Sequence, residues 1–389
     1  MPSRILGELS PAQFLAEYWQ KKPLWVRGAW PEFCDPLTPE ELAGLACTEG
    51  VEAWLVPEPE GEEADPVRHG PFTDHDFLSL PESHWTLWVR DVEKHAPNLT
   101  ALLEPFRFIP DWRGDGLTAR YAMPQGTVGP QVNEDDVFLL QGQGRQRWQI
   151  GIQQAESATV LAGSELTPQQ EWILEPGDGL YLPAGVVYRG VALEASLSYA
   201  VDFHAPRHRE LLSRFLEFLL EDVDPEARYA DPDLMVQENP GEISAAALDQ
   251  VRTLLRHAIA LDDETIAVWF GRFLSETRPG FRAEPESDPY AEDELREHLR
   301  GGGTLERNPG SRFYYIAGLD GERLLFVDGQ EFALGPKVAF MAPLLCRHRR
   351  LTLALLREAL KPADARQLLL DLLNEGYLVI YEEDGDGSD

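Results

Sequence analysis

Gln131, Asn133 and Asp135 stand at alternate positions in the stretch 128–140. On a strand they share one face, which places Asp135 about 7 Å beyond Asn133. Two amides and a carboxylate in a row can hydrogen-bond a polar ligand, and the carboxylate could also serve as a rescue ligand for a metal. Glu134 and Asp136 flank it, so a second reading stays open: an acidic run at a strand mouth, solvated or hydrogen-bonded. Other metal-binding groups are sparse. Cys34, Cys47 and Cys346 are odd in number, far apart and without Cys-x-x-Cys or Cys/His spacing, which predicts neither a disulfide framework nor a zinc site. His257, His298 and His348 are isolated, and His204 and His208 follow the last expected strand.

The elements that must position these residues carry a family resemblance. Val128-Gly129-Pro130-Gln131-Val132-Asn133, with Val137-Phe138-Leu139-Leu140-Gln141-Gly142 behind it, resembles the iron-binding strand of the bacterial JmjC-type ribosomal-protein arginine hydroxylases. Those are cupin oxygenases that use Fe(II), dioxygen and 2-oxoglutarate. Further matching pieces are Phe14-Leu15-Ala16-Glu17-Tyr18-Trp19, His69-Gly70-Pro71-Phe72, Pro110-Asp111-Trp112-Arg113, Leu174-Glu175-Pro176-Gly177-Asp178 and Leu180-Tyr181-Leu182-Pro183, so the resemblance covers nearly the whole chain.

The resemblance implies a mainly β plus α chain. Its parts would be a JmjC/cupin double-stranded β-helix barrel over 1–205, a helical dimerisation module over 206–285 and a winged-helix-like C-terminal domain over 286–389. It also implies positions for the site. The family's His-Asp-His iron triad falls on Gln131, Asn133 and Tyr188, and the basic residue that grips the 2-oxoglutarate carboxylate falls on Gln146, between Arg145 and Arg147. Ser198 joins the former co-substrate positions.

None of the three triad positions holds a normal ferrous ligand. A non-haem Fe(II) oxygenase needs two imidazoles and a carboxylate on one face of the metal. Two neutral amides and a phenol, whose ordinary pKa is near 10, supply no charge to offset the dehydration of a divalent ion. Second-shell changes alone typically cost about 10 to 100-fold in metal affinity, and here every ligand is altered. Gln146 likewise replaces a permanently charged bidentate clamp with an uncharged donor. The joint loss predicts a degenerate active site with no cofactor, its side chains lining a neutral polar pocket or filling it with one another. A relocated iron site would instead keep Fe(II) and 2-oxoglutarate.

Length and composition bound the rest. A chain of 389 residues with 43% hydrophobic content and ten tryptophans predicts two or three folded domains. No apolar run reaches about 18 residues, and 1–6 lacks a secretory core, so a cytoplasmic protein with no membrane association is expected. The formal net charge of -33 opposes direct nucleic-acid binding and attracts basic polypeptides, which suits a ribosomal-protein client. Adaptation to a saline cytoplasm or simple solubility would produce the same charge.

Helix start signals stand at Pro11 and Thr38-Pro39-Glu40-Glu41, and a helix is expected over 11–20. Short apolar runs at 51–56, 85–89, 117–123, 137–141, 147–152, 171–174, 179–182, 187–193 and 196–203, separated by Gly and Pro turns, suit a β-helix barrel. From 207 to 281 the period becomes helical, with more apolar positions than a lone helix can bury, and a homodimer is expected. Residues 292–299, 351–360 and 363–375 read as helices, and 313–319, 323–327 and 377–381 as strands. The acidic closing segment 382–386, expected to be disordered, favours protein over DNA contact.

Three functions follow. The chain is a non-catalytic member of this oxygenase family that binds a basic ribosomal protein or peptide, or a working arginine hydroxylase with unusual ligands, or a small-molecule-binding cupin.

Overall fold

Strand alternation sorts the side chains of the first half of the chain into two layers. In Ser196–Phe203, Leu197, Tyr199, Val201 and Phe203 pack on one side, so Ser196, Ser198, Ala200 and Asp202 face the other. The computed structural model describes residues 4–57, 66–132, 134–153, 166–259, 262–318 and 322–381. Asn133 and the segment 382–386 lie outside the described residues. Two compact units result, Met1–Ala205 and Pro206–Asp389.

The first unit opens with helices α1 (Pro11–Glu17) and α2 (Pro39–Ala46), each started by a reciprocal cap. Ser10 and Gln13 exchange hydrogen bonds, as do Thr38 and Glu41, and a proline occupies the first turn of both. The expected helix over 11–20 is therefore shorter, ending at Glu17. Short helices α3 (Asp74–Leu78) and α4 (Val92–His95) follow.

The strands are β1 (Leu24–Val26), β2 (Ala53–Pro57), β3 (Arg68–His69), β4 (Trp85–Val89), β5 (Gly114–Ala122) and β6 (Thr127–Val132). Then come β7 (Asp136–Gln143), β8 (Gln146–Gln153), β9 (Leu166–Leu174), β10 (Gly179–Leu182), β11 (Val187–Ala192) and β12 (Ser196–Phe203). They form an eight-stranded sheet, β1-β10-β7-β12-β5-β4-β2-β3, and a four-stranded sheet, β6-β11-β8-β9. Val128, Val137, Leu139, Trp148, Ile150, Leu180, Leu182, Tyr188 and Ala200 from both sheets make the barrel interior. On the outer side of the larger sheet, Phe14 of α1 packs against Phe108, Phe138 and Tyr181.

A buried polar knot locks this outer layer. Asp136 accepts hydrogen bonds from the Tyr181 hydroxyl and from Gln20 Nε2 at 3.0 Å, with Arg113 Nη2 at 3.8 Å. Arg113 Nε donates to the His204 carbonyl at 2.6 Å, which ties the exit of β12 to the entry of β7.

The second unit contains α5 (His208–Leu220), α6 (Ala245–Ala258), α7 (Asp263–Ser275), α8 (Glu292–Arg300), β13 (Thr304–Arg307), β14 (Phe313–Ala317), β15 (Arg323–Val327) and β16 (Gln330–Leu334). It closes with α9 (Met341–Arg347), β17 (Arg350–Leu351), α10 (Leu353–Leu356), α11 (Ala363–Asn374) and β18 (Leu378–Tyr381). Two three-stranded sheets, β17-β13-β18 and β14-β15-β16, share a core with α8, α9 and α11. The helix expected over 351–360 is shortened to one turn, Leu353–Leu356: Leu351 pairs with Leu305 in the sheet, and 357–360 form a turn. No helix among the described residues is long and apolar enough to cross a membrane.

Candidate functional site in the barrel interior

Antiparallel pairing of β6 with β11 sets Gln131 opposite Tyr188. Their side chains meet: Gln131 Nε2 donates to the Tyr188 hydroxyl. Tyr188 is 2% exposed, with its ring centroid 5.8 Å from that of Trp148. Burial pushes its phenol above the ordinary range, against the opposing pull of the Arg120 guanidinium and the Gln131 hydrogen bond, so the group is neutral. Local backbone geometry makes room for the pair. Gly129 has φ +82°, and a Cβ there would stand 2.6 Å from the Tyr188 carbonyl oxygen.

Gln146 also points inward and is buried, and its Nε2 donates to Ser196 Oγ at 2.9 Å. Ser198, across from Arg120, is buried with no partner for its Oγ among the described residues. Arg145 and Arg147, the two cations beside Gln146, lie at the surface and pair with Glu194 at 2.9 Å and Glu171 at 3.9 Å. Neither enters the interior.

Asp135 stands elsewhere. The expected shared face of residues 131 and 135 does not form, because β6 ends at Val132 and Asp135 lies in a bend before β7. There it accepts from Ala205 N at 3.2 Å and pairs with His204 Nδ1 at 3.3 Å. Burial raises its pKa, but these hydrogen bonds outweigh that and hold it below the usual carboxylate range. Its neighbours diverge too, since Glu134 is exposed and Asp136 is fully buried in the knot described above. His208 is an exposed residue at the start of α5.

The expectation of a neutral pocket needs correction. Arg120 of β5 is 4% exposed and faces the interior, its Cζ 4.2 Å from the centroid of Trp88 and its guanidinium hydrogen-bonded to the Tyr188 hydroxyl. Asp202 of β12 shares that face and bonds Thr118 Oγ1 at 3.3 Å. Sequence reasoning passed over both because 117–123 and 196–203 register as apolar runs. A signal was present: strand parity puts Arg120 and Asp202 on the inner face, where an ionisable side chain is unusual.

Iron requires a different donor set. Gln131 and Tyr188 bring no negative charge, and the guanidinium touching Tyr188 repels a divalent cation. Among the described residues no group of three His, Cys, Asp or Glu side chains could hold a metal ion.

This arrangement, a two-sheet barrel with an inward-facing polar cluster followed by helices and a small winged-helix unit, defines a JmjC cupin protein. Residues 101–211 match the JmjC domain family and 254–379 the ROXA-like winged helix. The ribosomal protein uL16 3-hydroxylase of Escherichia coli is 34% identical over 94% of this chain and 96% of its own length. A probable ribosomal oxygenase of Haemophilus influenzae is 33% identical over 59% of this chain and 56% of its own. Among solved structures, YcfD, a ribosomal oxygenase from Escherichia coli, superposes with a TM-score of 0.82 at 32% identity, covering 96% of this chain and 99% of that one. The same relative in complex with cobalt and 2-oxoglutarate also gives 0.82. The chain belongs to the JmjC ribosomal oxygenase family.

The interior charge generates a pH prediction. Burial pushes the Asp202 carboxyl up to about 6 although part of its surface stays open; Arg120 opposes the shift and Asp115 adds to it. The native state thus holds this proton more tightly than the unfolded chain. The resulting stabilisation is complete below about 3.8 and is lost as pH rises through about 6. Asp202→Asn removes that component, so in urea titrations the parent loses more stability than the variant across this window. Parallel pH profiles for the two proteins would contradict it.

Proposed function

We propose that this chain is a catalytically degenerate ribosomal oxygenase homologue that binds a basic ribosomal protein or peptide and does not oxidise it. One observation carries the reading: the positions that resemble the iron triad hold Gln131, Asn133 and Tyr188, and Gln131 is hydrogen-bonded to a buried, neutral Tyr188. Gln146 at the co-substrate position is tied to Ser196 and carries no charge with which to hold an anion. The decisive measurement is metal analysis after anaerobic incubation with Fe(II), together with calorimetry against 2-oxoglutarate. Substoichiometric iron and no heat of co-substrate binding are expected. Stoichiometric iron with micromolar 2-oxoglutarate binding would instead establish an active hydroxylase with relocated ligands.

The client follows from charge and kinship. A formal net charge of -33 accelerates encounter with basic polypeptides, and the Escherichia coli relative is a uL16 hydroxylase, so a ribosomal protein of that kind is the proposed partner. Immobilised protein should retain it at low ionic strength and release it as salt screens the attraction. Failure to retain any basic ribosomal protein at low salt would remove the client from this account.

Residues 206–285 are proposed as a dimerisation module, with 286–389 as the winged-helix-like domain. Leu248, Val251, Leu254 and Leu255 of α6 are exposed, as are Leu212, Leu216 and Leu220 of α5, and a second copy would cover these apolar faces. Sedimentation velocity should give the dimer mass for the intact chain and the monomer mass for Val251→Glu with Leu255→Glu. A monomer in the parent at every concentration would refute the module.

A further inference from the structure

The barrel interior contains a guanidinium that no carboxylate among the described residues neutralises at contact. Leu117, Ala119 and Tyr121 of β5 pack on the helical side, and Arg120 therefore projects between the sheets, with Trp88 and Ser198 as its cross-strand neighbours. It is 4% exposed, and its Nε and Nη1 find no acceptor among the described residues. Ser198 Oγ and Gln146 Oε1, both on buried side chains of this interior, also lack partners there. Asp202 feels the Arg120 charge through space, but among the described residues it accepts its hydrogen bond from the Thr118 hydroxyl. Buried donors left unpaired on a charged group are strongly unfavourable, and native interiors almost always satisfy them. A hydrogen-bond acceptor completes this site, and of the acceptors a negatively charged one complements the guanidinium best.

The lining selects among anions. Trp88, Trp148, Leu139, Leu182 and Ala200 belong to one apolar cluster of the interior, so the surroundings favour an organic anion over a fully hydrated one. A phosphate group would bring a charge of about -1.5 to -2 against one guanidinium, with Asp202 already nearby. A carboxylate brings one charge and matches a planar guanidinium.

We propose that the barrel binds a small organic monocarboxylate without a metal ion, its carboxylate held by the Arg120 guanidinium and the Ser198 hydroxyl. The site draws its cation from β5, whereas the family's co-substrate position on β8 holds the uncharged Gln146. The proposal rests on the metal-free reading of the barrel for the absence of iron, and the test separates the two.

Calorimetry on the intact chain in EDTA, with acetate, propionate, butyrate and benzoate as probes and succinate, 2-oxoglutarate and inorganic phosphate as comparators, decides it. At least one monocarboxylate should bind saturably, unaffected by EDTA. Arg120→Met should weaken it tenfold or more, about the loss of 1.4 kcal/mol, Arg120→Lys should restore part of the affinity, and Ser198→Ala should weaken it severalfold. Should Arg120→Met fail to fold, Ser198→Ala carries the test, because that change removes one oxygen from a small side chain. No saturable heat from any monocarboxylate overturns the site, as does undiminished binding in the Ser198→Ala or Arg120→Met chain. Tighter binding of succinate or phosphate than of every monocarboxylate overturns the monoanion assignment. Carboxylate binding that appears only on addition of Fe(II) overturns both this site and the metal-free reading, whereas iron binding with EDTA-independent carboxylate binding overturns the latter alone.

Discussion

The Tyr188 phenol holds the centre of the barrel. It is packed against Trp148, accepts from Gln131 across β6 and β11, and meets the Arg120 guanidinium arriving from the other sheet. A metal centre offsets the dehydration of its ion with charged ligands, whereas the groups that meet here are a neutral phenol, an amide and a guanidinium. The packing is close where β11 passes Trp148. A Cβ at Gly190 would stand 3.0 Å from the Trp148 ring, so the strand that carries Tyr188 must run bare past the indole.

The interior keeps its shape because the opposite face of the larger sheet is tied down separately. Phe14, Phe138, Tyr181 and Phe203 form an aromatic layer, and Asp136 gathers Tyr181, Gln20 and Arg113 into one buried knot. Breaking such a buried charged pair by removing one partner typically costs about 3 to 5 kcal/mol, whereas a surface ion pair such as Arg145 with Glu194 contributes about 0 to 1. The outer layer thus braces the larger sheet through contacts that do not involve the inward-facing side chains. A relative only about a third identical retains the fold over nearly its full length.

Two electrostatic ranges operate in the molecule. The excess of acidic side chains makes a long-range field, weakened by salt, that acts on the approach of basic partners. Arg120, Asp202 and Tyr188 interact over a few ångströms in a medium of low polarity, where salt has little effect. The two proposed interactions, with a basic client and with a ligand inside the barrel, would thus depend differently on salt.

Much of the architecture was determined by the residues alone. The strand runs 85–89, 179–182 and 196–203 form with those bounds, and the caps at Ser10 and Thr38 start helices where the capping pattern requires, because alternation and capping are local properties. The types at 131, 146 and 188 were equally legible, and an amide or a phenol offers the same atoms in any fold. What the residues could not convey was which of them meet. Asp135 shares strand parity with Gln131 in the sequence, yet it lies in a bend outside β6 and pairs with His204. Arg120, concealed in an apolar run, joins Tyr188 only because β5 and β11 belong to facing sheets. Pairing between strands far apart in sequence is a tertiary property, and it decided that the interior of this barrel is charged.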